Sequence, residues 1–311
     1  MARPLLPDLP RAVTLREVGP RDGLQGEAPL PPVVRAELAA SLVEAGARRI
    51  EAASFVSERA VPAMAGGAEV IRQLEALGGR RPGVVVAALV PNLTGALFAL
   101  DCGVDELTVT VAASAAYNER NVRRTIDESV EEIGLIVARA AEQGVAVDAV
   151  VSCAFGSPYE GEIPPPEVAR LCGRLVALGA GAVTLADTTG VATPEVLAGV
   201  VGALDAAGLG LEPGLHLHET RGTALVNAYA ALALGLTRFD TSIAGLGGSP
   251  FAAGAGGNLS TEDFVSFLGA LGIENGYDLH ALVEIAAGLA ERLGREPASK
   301  VRAANVKATG R

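Results

Sequence analysis

The segment that decides the fold is Val13-Thr14-Leu15-Arg16-Glu17-Val18, together with the loop Gly19-Pro20-Arg21-Asp22-Gly23 that follows it. Its first residues predict a short strand, and the glycine and proline predict where that strand ends. A doubly wound open sheet often carries a G-x-G-x-x-G turn after its first strand, and this loop does not match that fingerprint. The segment therefore favours a (β/α)8 TIM barrel, in which functional side chains follow the strands directly.

The rest of the chain repeats a short apolar strand, a loop and an amphipathic helix. Seven further strands are predicted at residues 49–53, 84–90, 106–111, 145–151, 182–187, 215–218 and 239–242. Eight strand–helix units within about 250 residues are what a closed barrel requires. We therefore expect one domain over residues 1–311, with the barrel at about 13–270, additional C-terminal helices at about 271–298 and a tail at 299–311.

Composition and charge exclude several classes of protein. The formal net charge of −11 argues against a nucleic-acid binder, and an anionic substrate must therefore meet a local cluster of positive charge. The three cysteines have no C-x-x-C spacing, which predicts reduced thiols in a cytoplasmic protein. The uncharged run at residues 83–100 is interrupted by Pro91-Asn92, so it predicts a strand, a turn and the start of a helix, and not a membrane span.

Two of the three histidines lie in Gly214-Leu215-His216-Leu217-His218-Glu219-Thr220. Alternate residues of a strand point to the same face, so the imidazoles of His216 and His218 are expected side by side. Such a pair is half of a metal site, or else a pair of hydrogen-bonded core histidines.

Polar residues at the ends of other predicted strands could complete a metal site. In a barrel these strand ends meet on one face. Asp22 follows the first strand and Asn258 follows the last, although each alone could be a turn residue or a helix N-cap. A set of two oxygen and two imidazole ligands suits an octahedral Mg²⁺ or Mn²⁺ ion: Asp22, His216, His218 and Asn258.

Four segments resemble the hydroxymethylglutaryl-CoA (HMG-CoA) lyase family, and they occur in order along most of the chain. They are Glu17-Val18-Gly19-Pro20-Arg21-Asp22-Gly23-Leu24-Gln25, Ile50-Glu51-Ala52-Ala53-Ser54-Phe55-Val56, Ser152-Cys153-Ala154-Phe155-Gly156-Ser157-Pro158-Tyr159-Glu160-Gly161-Glu162 and residues 244–258. The resemblance implies a metal-dependent TIM barrel that cleaves HMG-CoA, or a related 3-hydroxyacyl-CoA, to acetyl-CoA and acetoacetate. It also implies a homodimer.

The resemblance assigns roles to individual residues. Asp22, His216, His218 and Asn258 match the metal ligands. Arg21 matches the arginine that stabilises the enolate. Glu51 matches a catalytic glutamate, and it could equally be a buried carboxylate paired with Arg21 or Arg49. His216 or Asp22 could accept the hydroxyl proton. At the end of the sixth strand, Asp187 and Thr188 are predicted to contact the substrate, and Asp187 could also orient a metal ligand.

Ser249 departs from the family, which usually has a cysteine there that acts in proton transfer. A serine hydroxyl is a far weaker acid than a thiol, and losing a general acid costs ~10²–10⁴-fold in rate. Ser249 is therefore a candidate catalytic residue with three open consequences: slow turnover, a proton from water or another group, or a different substrate. Six glycines between Gly245 and Gly257 predict a lid over the site.

Three arginines, Arg120, Arg123 and Arg124, follow the fourth predicted strand in this acidic chain, just before a predicted helix N-terminus at Thr125-Ile126-Asp127-Glu128. We expect Arg123 or Arg124 to bind the phosphates of CoA; the alternative is a solvated charged loop.

Three other functions fit parts of the pattern. A Claisen condensing synthase or an oxo-acid aldolase can use the same metal ligands, and a lyase homologue impaired by Ser249 is a third possibility. A non-catalytic binding protein on a degenerate barrel is disfavoured, because the expected functional set is intact.

Overall fold

The strands of the computed structural model close into the predicted barrel. The structure describes residues 7–248, 256–294 and 298–309. Within them, eight parallel strands are β1 Thr14–Glu17, β2 Arg49–Ser54, β3 Val85–Leu89, β4 Glu106–Ala112, β5 Ala146–Ser152, β6 Ala182–Asp187, β7 Gly214–Leu217 and β8 Arg238–Thr241. Each strand pairs with the next, and β8 pairs with β1 to close the barrel, with Thr14 opposite Arg238 and Glu17 opposite Thr241.

Helices connect the strands and cover the barrel. The helices in the described part of the chain are α1 Pro32–Glu44, α2 Gly67–Ala76, α3 Leu93–Asp101, α4 Ala115–Val122, α5 Ile126–Ala141, α6 Pro165–Ala177, α7 Pro194–Ala206, α8 Ala224–Ala233, α9 Thr261–Leu271, α10 Leu279–Leu293 and α11 Lys300–Thr309. Prolines begin α1, α6 and α7, where a missing amide proton costs no helix hydrogen bond. The predicted start of α5 is confirmed as a capping box between Thr125 and Glu128.

Apolar and charged side chains occupy different layers of the molecule. Between strands and helices the packing is apolar: the rings of Phe239 on β8 and Phe264 on α9, for example, lie 5.0 Å apart at 66°. Inside the barrel, Arg16 on β1 instead reaches Asp148 on β5 and Asp240 on β8, and all three side chains are buried. The barrel interior therefore holds ion pairs.

The C-terminal end differs from the expected tail. Residues 300–309 form α11, and Asp263 on α9 holds its first turn. The Asp263 carboxylate accepts hydrogen bonds from the Ser299 hydroxyl (3.0 Å) and from the amides of Lys300 (2.9 Å) and Val301 (2.8 Å). Residues 299–311 contain few apolar side chains and therefore suggested a tail. The group that caps the helix lies on α9, so the local sequence does not reveal it.

The uncharged run at residues 83–100 forms β3 and most of α3, as predicted. Among the described residues, no helix combines the length and apolarity needed to cross a membrane.

Candidate active site

The predicted metal ligands converge at the carboxyl ends of the strands. One ligand atom from each of Asp22, His216 and His218 lies within 4.8 Å of the others, and the three side chains are buried. Asn258 joins them, because its Nδ2 donates a 2.7 Å hydrogen bond to Asp22 Oδ2. The four side chains come from three separate segments, so barrel closure is what assembles them.

Asp22 is presented by a tight turn directly after β1. The amides of Gly23 and Leu24 donate to the carbonyls of Val18 and Gly19, both at 3.1 Å, which makes residues 19–23 a single π-helical turn. Such turns are frequent at functional sites. The sequence pattern suggested only a polar loop here.

Glu17 ties this turn to the segments that follow β8. Its Oε1 accepts hydrogen bonds from the amides of Gly19 (2.7 Å) and Ile243 (2.9 Å), and its Oε2 accepts one from the Thr261 hydroxyl (2.6 Å). Burial raises the pKa of the Glu17 carboxyl to about 7 despite these donors. The strand pattern did not single out Glu17 as a functional residue, and the available signal was an acid inside a strand.

His218 is held in its neutral form. Its Nδ1 lies 2.9 Å from the carbonyl oxygen of Asp187, which can only accept, so Nδ1 carries the proton and Nε2 keeps its lone pair. Burial, and then the charge of His216, lower the pKa of His218 to about 4. The strand ends one residue earlier than predicted, and His218 instead forms an isolated bridge with Asn258 that brings this asparagine to the site.

His216 is oriented by Asp240, a residue that the sequence analysis missed. His216 Nδ1 lies 3.0 Å from Asp240 Oδ2, and its Nε2 lies 3.8 Å from Asp22 Oδ2. Burial lowers the pKa of His216, but the hydrogen bond to Asp240 and the charges of Asp22 and Asp240 outweigh burial and leave it raised. The negative charge that favours a proton on His216 also favours a cation in the cluster.

Arg21 lies between two carboxylates beside the cluster. Its Nε donates to Glu51 at 2.7 Å, and one terminal nitrogen donates to Asp22 Oδ1 at 2.8 Å. Glu51 is therefore paired with Arg21, whereas Arg49 pairs with Glu106. Burial acts to raise the pKa of Asp22, but Arg21, His216 and the hydrogen bond from Asn258 hold it below its ordinary value.

The donor set fits a divalent metal ion. Asn258 Oδ1 is buried and has no hydrogen-bond partner among the described residues. It adds an amide oxygen to the carboxylate of Asp22 and the imidazole nitrogens of His216 and His218. Oxygen and imidazole ligands without a thiolate suit Mg²⁺ or Mn²⁺.

Known proteins are similar to this chain in sequence and in fold. The HMGL-like family model matches residues 12–288. The mitochondrial hydroxymethylglutaryl-CoA lyase of Bos taurus is 40% identical over 303 residues, which cover 96% of this chain and 91% of that protein. The chain belongs to the HMG-CoA lyase family. As a member, it is a carbon–carbon lyase.

Two bacterial members extend the likeness. The 3-hydroxy-3-isohexenylglutaryl-CoA/hydroxymethylglutaryl-CoA lyase of Pseudomonas aeruginosa is 41% identical over 294 residues, 94% of this chain and 97% of that protein. The HMG-CoA lyase of Acinetobacter baumannii, solved in complex with coenzyme A and 3-methylmalate, has a TM-score of 0.88 at 37% identity and covers 94% of each chain.

The two residues predicted to bind substrate at the end of β6, Asp187 and Thr188, hold neighbouring loops in place. The Asp187 carboxylate accepts from the amides of Val191 (2.9 Å) and Ala192 (3.1 Å), and burial raises its pKa to about 6. The Thr188 hydroxyl accepts from the amide of Cys153 at 2.8 Å. A role for either side chain in substrate binding stays a prediction.

The other predicted residues lie between α4 and α5 or beyond the described part of the chain. Arg123 is exposed at the end of α4 and adopts a left-handed backbone conformation (φ 56°). Arg124 lies 3.4 Å from Glu132 and donates to the carbonyl of Pro91. Ser249 and most of the predicted lid fall within residues 249–255, which the structure does not describe.

The Gly-rich segment packs directly against a candidate ligand. A Cβ atom on Gly247, whose φ is +123°, would lie 2.3 Å from Asn258 Nδ2. We expect Gly247→Ala to displace Asn258 and to weaken Mn²⁺ binding about tenfold or more, as measured by calorimetry. Gly269→Ala is the matched control, because the Cβ it would add meets no described atom within 4 Å apart from its chain neighbours and the backbone of its own helix. Unchanged Mn²⁺ affinity in Gly247→Ala would contradict the role of Asn258.

Proposed function

We propose that this protein cleaves HMG-CoA to acetyl-CoA and acetoacetate, with a divalent metal ion held by Asp22, His216, His218 and Asn258. The convergence of these side chains beside Arg21 is the observation that carries the proposal. A bound divalent ion would orient the substrate and lower the pKa of its 3-hydroxyl group.

The reaction is a retro-Claisen cleavage. The 3-hydroxyl group loses its proton, its oxygen forms the ketone of acetoacetate, and the bond between C2 and C3 breaks. The released electron pair forms the enolate of acetyl-CoA, which then takes up a proton. Each proton transfer needs a protein group or a water molecule as donor or acceptor. The negative charge of the enolate needs a group that stabilises it.

The buried charges suit these steps. Arg21 would stabilise the enolate oxygen, because two carboxylates already hold its guanidinium in a fixed position. Glu51 would orient Arg21, and its Oε1 has no hydrogen-bond partner within the described residues. His216 and Asp22 are the candidate acceptors of the hydroxyl proton.

The whole proposal can be tested by a product assay. We expect the purified chain to form acetoacetate from HMG-CoA, to lose this activity on chelation and to regain it with Mg²⁺ or Mn²⁺. His216→Ala should lower kcat about 10²–10⁴-fold. His280→Ala is the matched control, since His280 is exposed on α10.

The assay also separates the alternatives. Chelator-resistant cleavage would contradict the metal site. Condensation or aldol products without thioester cleavage would identify a synthase or an aldolase. Because the Pseudomonas aeruginosa relative is named for a longer 3-alkyl substrate as well, the panel should include thioesters with longer 3-alkyl groups.

We further propose that Ser249 determines how the enolate is protonated. A thiol at this position would be a stronger acid than the serine hydroxyl. Ser249→Cys should therefore raise kcat on HMG-CoA about tenfold or more. The kcat of this variant should then fall at alkaline pH, where the thiol loses the proton that it donates. An unchanged kcat, with fast wild-type turnover of another thioester, would instead reassign the substrate.

The CoA phosphates would meet Arg123 at the entrance of the barrel. Arg124 already has Glu132 and Pro91 as partners, so the exposed Arg123 is the better candidate. Arg123→Ser should raise the KM for the thioester about tenfold and leave kcat unchanged. Arg170→Ser, at an exposed arginine on α6, is the control. An unchanged KM in Arg123→Ser/Arg124→Ser would contradict this role.

We also propose that the protein is a homodimer and that it lies in the cytoplasm. Light scattering of the purified chain tests the oligomeric state, and a monomer at working concentration would contradict the homodimer.

A further inference from the structure

Arg16 connects opposite sides of the barrel interior. It begins on β1, where the neighbouring Leu15 is also buried. Its Nε and one terminal nitrogen donate to the two carboxylate oxygens of Asp240, both at 2.8 Å. Its other terminal nitrogen donates to Asp148 Oδ2 at 2.7 Å. Arg16 thus binds one carboxylate through two parallel hydrogen bonds and a second through one.

The two parallel bonds fix the plane of the Asp240 carboxylate. A guanidinium group binds a carboxylate in one preferred orientation, whereas an ammonium group acts as a point charge. In this orientation Asp240 Oδ2 also lies 3.0 Å from His216 Nδ1. A continuous series of contacts therefore runs from Asp148 through Arg16 and Asp240 to a candidate metal ligand.

Asp148 fixes the other end of the arginine. It accepts from the Thr184 hydroxyl at 2.8 Å and is fully buried. Arg238 lies 3.8 Å from it. Because a buried charge without a partner is strongly unfavourable, Asp148 and Asp240 both favour Arg16 in this position. Turning the guanidinium away from Asp240 would break two of these buried hydrogen bonds.

We propose that Arg16 is a positioning residue for the metal site. It holds Asp240 so that His216 Nδ1 keeps its proton and His216 Nε2 faces Asp22. Arg16 itself donates to Asp240 and Asp148 and not to any of the proposed ligands. This inference rests on the proposed function, because His216 is a metal ligand only if that proposal holds.

Arg16→Lys tests the inference, since it keeps the charge and removes the two parallel hydrogen bonds. We expect the Mn²⁺ dissociation constant to rise about tenfold or more. Arg49→Lys is the matched control, because it alters the adjacent ion pair with Glu106, which lies 3.6 Å from Arg16, and leaves the two parallel hydrogen bonds between Arg16 and Asp240 in place. Circular dichroism should show both variants folded without metal, and only Arg16→Lys should need more Mn²⁺ for half-maximal activity.

If lysine leaves Asp148 unpaired and the variant fails to fold, Arg16→Lys/Asp148→Asn removes the unpaired buried carboxylate, and the same loss of Mn²⁺ affinity is expected. Equal Mn²⁺ affinity in the wild type and the folded Arg16 variant overturns the inference and leaves the proposed function standing. A wild type that binds no Mn²⁺ overturns the proposed function and the inference together.

Discussion

Closure of the barrel between β1 and β8 is the constraint on which the rest of the structure depends. The two strands are more than 200 residues apart in the chain, and their register places the turn after β1 next to the segment that leads into α9. Asp22 and Asn258 are then near enough for a 2.7 Å hydrogen bond. Glu17 reinforces the same junction by accepting hydrogen bonds from both sides of it. The histidine pair at the end of β7 completes a cluster that no single segment could form.

The polar barrel interior has a physical cost that the structure meets by pairing. Burying a charge is unfavourable unless a partner and hydrogen bonds compensate for lost hydration. Asp240 satisfies this requirement with Arg16, and Arg21 satisfies it with Glu51 and Asp22. These fixed charges cannot relax as water does, so they can favour developing charge without rearranging during a reaction. The apolar packing of strands against helices supplies the stability that this arrangement needs.

The sequence predicts those features that depend on local patterns. The repeated strand pattern predicted the barrel, which the closed sheet confirms. The spacing of His216 and His218 predicted that both side chains lie on one face, which the 5.0 Å separation of their rings confirms. Features that depend on long-range pairing were not predictable in this way. Nothing near Arg16 in the chain indicates that its partner is Asp240, 224 residues away. The partner of Glu51 stayed open between Arg21 and Arg49 for the same reason, and the helix at residues 300–309 depends on Asp263 of another helix.

The central claim is that four side chains from three segments form one divalent metal site. Anomalous X-ray diffraction from crystals grown with Mn²⁺ tests it most directly. We predict one strong peak at about 2.0–2.2 Å from Asp22, His216 Nε2, His218 Nε2 and Asn258 Oδ1. A peak elsewhere, or an ion bound without the histidines, would contradict the claim.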